Sequence, residues 1–270
     1  MIDSPSVSKP KPSSEKPAAD SAAAPKMVRV RLPYSVSYVT YGLIGITVFV
    51  FVLQVLSPFL WGNPPSGISD MDWLEYIGAR VNSAIVAGQV WRLLTPALLH
   101  GSFLHIFFNM YALYSLGVGL ERYFGHRRFL ILYVLCAFTG NVASFLFTNG
   151  YSIGASTAIF GLIGAEGVFF YQNRKLFGND ARRAIGNVVF VAAINLFVIG
   201  SLPFIDNWGH IGGLIGGLMF TSLAGPLWAI KENEAGYSLM QTRPTRDVIV
   251  GAAATVFVFG ALALWGMVRG

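Results

Sequence analysis

Four polar side chains that could act together chemically lie in apolar stretches of the sequence. Ser156 lies in "GASTAIFG", His210 lies in "GHIGGLIGG", and a third stretch holds His105 and Asn109 one helical turn apart. A serine hydroxyl becomes a strong nucleophile when a base accepts its proton, and an imidazole suits that task near neutral pH. The pattern therefore predicts Ser156 as a nucleophile and His210 as its base. The other two side chains could donate hydrogen bonds to an oxyanion.

The composition is that of a membrane protein. Of the 270 residues, 54% are hydrophobic and 12% are charged. An apolar run of about 20 residues can cross a hydrocarbon core of roughly 30 Å as a helix. Seven such spans are predicted, at 36–58, 99–120, 129–147, 155–172, 184–202, 209–228 and 248–268. We therefore expect an all-α polytopic membrane protein. No domain concentrates basic charge in the way that nucleic-acid binding requires.

Positive charge is distributed unevenly between the two sides of these spans. All but three of the 19 lysines and arginines fall in one alternating set of segments, which begins with the N-terminal tail. Because cytoplasmic segments carry the excess of Lys and Arg, we predict a cytoplasmic N-terminus and, after an odd number of spans, an external C-terminus. The helices with Ser156, His210 and His105 then enter from outside. No organelle presequence is visible, so a bacterial plasma membrane is the expected location.

Four segments are predicted along the chain. Residues 1–33 are rich in Pro, Ser, Ala and Lys, and we expect a disordered cytoplasmic tail because they cannot bury enough apolar surface to fold. A core at 36–228 contains a long external loop at 59–96. A cytoplasmic linker at 229–247 leads to an additional span at 248–268. Three acidic residues of the long loop are expected to form a solvated edge, namely Asp70, Asp72 and Glu75.

Glycines recur beside the predicted serine–histidine pair. Gly209, Gly213 and Gly217 are spaced four residues apart. Small residues at this spacing let two helix backbones pack closely in lipid. Phe160, one turn after the serine, is placed to stack on the His210 ring.

Each of these polar residues also has another interpretation. A serine in a membrane helix usually bonds back to a carbonyl, and Asn109 could join two helices. A transporter with His105, His210 and Glu166 as a proton relay stays an alternative, although a structural role is favoured for Glu166. His100 and His105 are five residues apart and are expected to point to different faces. No metal or other cofactor is therefore predicted.

Five short motifs occur in order along the apolar core. They are "WR" at 91–92, "HGSFLHIFFNMYAL" at 100–113, "ER" at 121–122, "GAS" at 154–156 and "GHIGGLIGG" at 209–217. In combination they resemble the rhomboid intramembrane serine proteases. The resemblance covers the chain from about Tyr38 to Trp228. It implies a six-helix core with a water-filled cavity open to the outside, and the additional span resembles the six-plus-one arrangement of part of the family.

The resemblance also implies roles for the reactive residues. Ser156 and His210 would form a dyad without a carboxylate third member. His105, Asn109 and the backbone amide of the serine would form the oxyanion site. The family often has glycine directly after the nucleophile, whereas this sequence has Thr157, which leaves backbone fit and substrate shape open.

Further residues would act as supports in such a protein. Trp91 and Arg92 would brace the long loop, and Glu121 with Arg122 would brace the cytoplasmic side. The fifth span and the loop at 201–208 would move to admit a substrate helix.

The predicted function is an intramembrane serine endopeptidase that cuts single-span membrane proteins near the outer face. Gly or Pro in a substrate helix should help it to unwind into the site. The alternative is a catalytically inert rhomboid-like protein that binds membrane clients. The predicted partners are single-span substrates and the lipid bilayer, without nucleic acid, and the sequence does not indicate an oligomeric state.

Overall fold

The computed structural model describes residues 36–65, 71–202, 204–233 and 236–269. The predicted tail at 1–33 lies outside these residues. Within them, long helices alternate with short connections, and two small antiparallel sheets are present.

The elements are numbered in chain order. The helices are α1 (Tyr38–Trp61), α2 (Trp73–Gly78), α3 (Asn82–Val86), α4 (Phe103–Phe124), α5 (His126–Phe147), α6 (Ser156–Gln172), α7 (Arg174–Phe177), α8 (Asn179–Ile194), α9 (Asn207–Ala224) and α10 (Thr245–Arg269). A π-helical turn, Asn195–Ile199, continues α8, and 3₁₀ turns lie at Val90–Leu93 and Thr95–Leu98. The strands are β1 (Arg80–Val81), β2 (Tyr151–Ser152), β3 (Trp228–Asn233) and β4 (Gly236–Gln241).

A helix overlaps each of the seven predicted spans. In the described chain, five helices are long and apolar enough to cross a membrane, namely α1, α4, α5, α10 and α8 with its π-helical turn. Helices α6 and α9 have 17 and 18 residues. At 1.5 Å per residue these reach about 26 Å, slightly less than a typical hydrocarbon core. The chain is an all-α polytopic membrane protein, and the count of six spans plus one stays a prediction.

Side-chain caps lie at the starts of α4 and α9, two of the three helices that carry the predicted polar residues. Ser102 accepts a hydrogen bond from the His105 amide at 3.2 Å, and α4 starts at the next residue. Asp206 accepts one from the Gly209 amide at 3.0 Å, and α9 follows it. Such oxygens satisfy N–H groups that have no partner within the first turn. Gly125, with a φ of 75°, forms the sharp turn between α4 and α5.

Helices α5, α6 and α9 form the centre of the fold. A Cβ placed on Gly213 would lie 1.9 Å from the carbonyl oxygen of Thr157. A Cβ on Gly217 would lie 1.9 Å from the carbonyl oxygen of Gly161. No side chain fits at such distances, so only glycine lets α9 meet α6 backbone to backbone. The four-residue glycine spacing predicted this close approach.

One of the two sheets joins segments that are distant in sequence, and the other is a hairpin. Strand β1 pairs with β2, with Arg80 opposite Ser152, and so links the long loop to the segment before α6. Strands β3 and β4 form a hairpin, with Trp228 opposite Gln241. This hairpin occupies most of the predicted linker at 229–247 and was not expected from the sequence.

The predicted solvated acidic edge of the long loop is wrong for two residues. Asp72 and Glu75 are buried, with 9% and 4% of their surfaces exposed. Asp72 caps α2 through the amides of Leu74 and Glu75. Gln54 of α1 donates from Nε2 to Asp72 Oδ2 at 2.8 Å, so a polar side chain in a membrane helix provides the partner that a buried carboxylate needs. Asp70 lies outside the described residues.

Candidate active site

The serine and histidine predicted as a pair lie in contact. Ser156 is the first residue of α6, and His210 lies in the first turn of α9. Their Oγ and Nε2 atoms are 2.9 Å apart. The ring of Phe160 stacks on that of His210, with centroids 4.1 Å apart and planes 7° from parallel. In the described part of the chain, His210 Nδ1 has no hydrogen-bond partner.

A glycine turn sets the position of the serine at the start of α6. Gly154 has a φ of 130°, a conformation that side chains rarely adopt. A Cβ on this residue would also lie 2.8 Å from His105 Nε2. The turn therefore brings the His105 imidazole beside the segment that carries Ser156. The first amides of α6 have no intrahelical acceptor, so this end of the helix favours negative charge.

Asn109 lies one turn further along α4 from His105. It is buried, and its Nδ2 atom donates to the His105 carbonyl oxygen at 3.0 Å. An amide nitrogen carries two hydrogens, so this bond leaves donor capacity. The structure brings His105 to the reactive turn, whereas it shows Asn109 bonded to its own helix. The oxyanion roles of both residues stay predictions.

The expectation that His100 and His105 point to different faces is wrong. Their ring centroids are 4.9 Å apart in an edge-to-face arrangement. The helical angle between them does not apply, because α4 begins at Phe103 and His100 lies before it. His100 Nε2 accepts a hydrogen bond from the Ala155 amide at 3.4 Å. The Ser102 cap would have revealed this helix start in the sequence.

Asp206 is a half-buried site residue that the sequence reasoning missed. Its carboxylate accepts hydrogen bonds from the Ser144 hydroxyl, from Thr148 Oγ1 at 2.8 Å and from the Gly209 amide at 3.0 Å. Burial opposes its charge, but these bonds and one from Ser152 outweigh burial and hold the pKa of Asp206 below its usual range. An aspartate just before an apolar helical run is a helix-start signal that could have identified it.

Thr157 and Glu166, two residues of α6 whose roles the sequence left open, have different surroundings. Thr157 is buried against two glycines: a Cβ on Gly140 would lie 2.6 Å from its Cβ, and one on Gly209 would lie 3.0 Å from its Cγ2. Its β-branch therefore fits between α5 and α9. Glu166 is half-buried further along α6, and its predicted structural role stays a prediction. Nothing links it to the pair in the described chain.

The predicted supporting residues make contacts that fasten loops. Trp91 Nε1 donates to the Ile77 carbonyl at 3.1 Å. Arg92 donates to the carbonyls of Ala79 at 2.6 Å and Tyr76 at 2.7 Å. These bonds hold α2 against the 3₁₀ turn of the long loop.

At the opposite end of the helices, Glu121 fastens α4 to α1. It accepts hydrogen bonds from the amides of Val39 at 2.9 Å and Thr40 at 2.7 Å. Its Oε1 atom also lies 2.5 Å from His126 Nδ1. Arg122 follows it and is exposed at the end of α4. Among the described residues, no group of three His, Cys, Asp or Glu side chains could hold a metal ion, and the absence of a cofactor stays a prediction.

Comparison with known proteins gives consistent matches. The family description "Rhomboid domain" matches residues 87–226. "Rhomboid protease GluP" of Bacillus subtilis is 42% identical over 180 residues, which cover 66% of this chain and 34% of that protein. "RHOMBOID-like protein 1" of Arabidopsis thaliana is 37% identical over 183 residues, covering 65% of this chain and 46% of the relative.

A third relative differs in what its name says. "Inactive RHOMBOID-like protein 8" of Arabidopsis thaliana is 36% identical over 155 residues, which cover 57% of this chain and 43% of the relative. The chain thus spans less than half the length of these three relatives. Since the Rhomboid domain match extends over more than half of the chain, the chain belongs to the rhomboid family.

Proposed function

We propose that this protein is an intramembrane serine endopeptidase in which Ser156 is the nucleophile and His210 the base. The observation that carries the proposal is the 2.9 Å separation of Ser156 Oγ and His210 Nε2. At that distance the imidazole can accept the hydroxyl proton as the oxygen attacks a carbonyl carbon. The stacked ring of Phe160 restrains the imidazole plane in the orientation that the transfer needs.

The reaction then follows two steps. The Ser156 oxygen bonds to the peptide carbonyl carbon, and the carbonyl oxygen takes the negative charge. The His210 imidazolium returns the proton to the leaving amine as the C–N bond breaks, which leaves an acyl-enzyme. Water repeats the attack with the same base and restores the serine. The amides at the start of α6 and the His105 ring, which lies beside Gly154, would donate hydrogen bonds to the developing charge.

The proposed substrates are single-span membrane proteins, cut where a helix unwinds near the outer face. Two facts support cleavage near the outer face. The lysines and arginines concentrate on the segments away from Ser156, and cytoplasmic segments carry the excess of such charge. A peptide carbonyl within a helix is hydrogen-bonded, so Gly or Pro near the cut site should help to expose it.

The alternative is an inert membrane-client binding protein, a possibility that the name of one relative keeps open. The contact between Ser156 and His210 favours the enzyme, because a protein that only binds clients does not need a hydroxyl and an imidazole at hydrogen-bond distance. The two functions predict different outcomes in one assay.

The test is labelling of the purified protein by a fluorophosphonate probe, together with cleavage of a panel of single-span substrates read by mass spectrometry. We expect Ser156→Ala to abolish labelling and to lower cleavage by about 10⁴-fold or more. The matched control is Ser115→Ala, because Ser115 is also a helix serine and bonds to its own Tyr111 carbonyl at 2.9 Å. Folded wild type that neither labels nor cleaves would contradict the proposal.

A further inference from the structure

The carboxylate of Asp206 joins three separate parts of the fold at the site end of the helices. Ser144 and Thr148 donate to it from the end of α5, and the Gly209 amide donates from the first turn of α9. Ser152, in β2, donates a further side-chain bond. No other carboxylate of the described chain connects the segments that these four partners come from.

A buried cation accompanies this carboxylate. Arg80 of β1 is fully buried, and its Nη1 atom donates to the carbonyls of Thr148 at 3.1 Å and Gly150 at 2.9 Å. Its Nε and Nη2 atoms have no hydrogen-bond partner among the described residues. The negative charge of Asp206 opposes the effect of burial on the guanidinium of Arg80, which favours the charged form of the arginine.

The same carboxylate lies next to the residues that flank the reactive pair. The His210 amide donates to the Asp206 backbone carbonyl at 3.2 Å. A Cβ on Gly209 would lie 3.0 Å from both Asp206 Oδ2 and Thr157 Cγ2. The carboxylate is therefore one helical turn from the base, and it packs against the glycine that also contacts the residue after Ser156.

We propose that Asp206 is a positioning residue that fixes the His210 ring relative to Ser156 by holding the first turn of α9 against the end of α5 and β2. It acts through the backbone of α9 and touches neither the serine hydroxyl nor a substrate. The inference rests on the proposed function, since a position matters for turnover only if the pair is catalytic. Reacting groups that are misplaced by about 1 Å can lose about 10²-fold in rate, so loss of this anchor should affect the chemical step.

The test compares Asp206→Asn and Asp206→Ala with wild type in detergent. We expect kcat to fall by about 10-fold in the asparagine variant, which keeps an accepting oxygen, and by about 100-fold in the alanine variant. KM should change by less than about two-fold, because substrate contacts are unaltered. Amide hydrogen exchange at residues 207–212, measured on the same samples, should accelerate in both variants.

The matched control is Glu121→Gln, which loosens a buried carboxylate anchor of a helix start at the opposite end of the bundle. It should lower thermal stability, leave kcat of the folded protein unchanged and leave exchange at residues 207–212 unchanged. An unchanged kcat in Asp206→Ala, or an equal loss of kcat in the control, would overturn the positioning role. If folded wild type proves inactive, the proposed function fails, and unchanged exchange at residues 207–212 would separately refute the anchor.

Discussion

Two regions that border the reactive pair are held together by different kinds of contact. The interface between α6 and α9 is backbone against backbone, with Gly213 and Gly217 packed on carbonyl oxygens of α6. The long loop within 59–96 is held by buried polar side chains, among them Glu75, Arg80 and Arg92. One region depends on the absence of side chains and the other on their charges.

The difference reflects the solvents that surround the two regions. Lipid offers no hydrophobic driving force between apolar helices, so α6 and α9 associate through close van der Waals contact. The long loop lies outside the predicted membrane spans. Its buried polar groups need hydrogen-bond partners. Gln54 of α1 illustrates this need, because its Nε2 atom lies 2.8 Å from Asp72 Oδ2 and 3.4 Å from Glu75 Oε1. The helix interface should therefore be sensitive to volume, and the loop to charge and pH.

The largest effect should come from one added carbon at the helix interface. In Gly213→Ala the new Cβ would lie 1.9 Å from the Thr157 carbonyl oxygen, so α9 must move away from α6. That movement separates His210 from Ser156, and we expect kcat/KM to fall by about 10²-fold or more. Cleavage of a single-span substrate and fluorophosphonate labelling would measure it.

Gly186→Ala on α8 is the matched control. A Cβ on Gly186 meets nothing within 4 Å, and alanine is the better helix former. Activity and melting temperature should therefore stay at or above the wild-type values. Equal losses in both variants would mean that the α6–α9 contact has no special importance.

The interface and its reactive residues were accessible from the sequence because their signals are local. The glycine spacing from Gly209 to Gly217 predicts close packing on its own. Ser156 and His210 stand out because polar residues are rare in apolar runs, and Phe160 follows from its one-turn spacing after the serine. Helix directions then bring them to one depth, and the structure has them in contact.

The loop was less accessible because its contacts join residues that are distant in the chain. Nothing near Asp72 indicates that Gln54 will bind it, and the acidic cluster therefore looked solvated. The direction of the His100 ring was predicted wrongly because the predicted span began at residue 99, whereas α4 begins at Phe103. The Ser102 cap indicates this later start. The β3–β4 hairpin was missed because its strands mix polar and apolar residues without clear alternation.

A smaller effect is expected from Arg92→Lys, which keeps the positive charge but loses the planar guanidinium group. Arg92 donates to two carbonyls and, through Nε, to Gln89 Oε1 at 2.7 Å. A lysine ammonium cannot reproduce this planar set of donors. The loop should become more sensitive to limited proteolysis, and the melting temperature should fall by several degrees. Cleavage activity should fall less than in Gly213→Ala, and a larger fall would reverse the assignment of the two regions.

The smallest effect, and the one specific to the loop, is the pH dependence of stability that Glu75 brings. Burial, strengthened by the neighbouring Asp72 charge, raises the pKa of Glu75 from 4.5 to about 7. Between these values the folded protein holds a proton that the unfolded chain has released, so stability falls as pH rises through this window and is constant above it.

Glu75→Gln removes the ionisation and keeps an accepting oxygen for Gln54. We therefore expect the variant to lose this slope and to melt a few degrees higher than wild type at a pH of about 8. Thermal melts between pH of about 5 and about 8 would measure it, with Glu232→Gln on the exposed face of β3 as the matched control. A slope that survives in Glu75→Gln would mean that the loop owes its pH response to another group, whereas its loss would separate the charge-dependent loop from the volume-dependent helix interface.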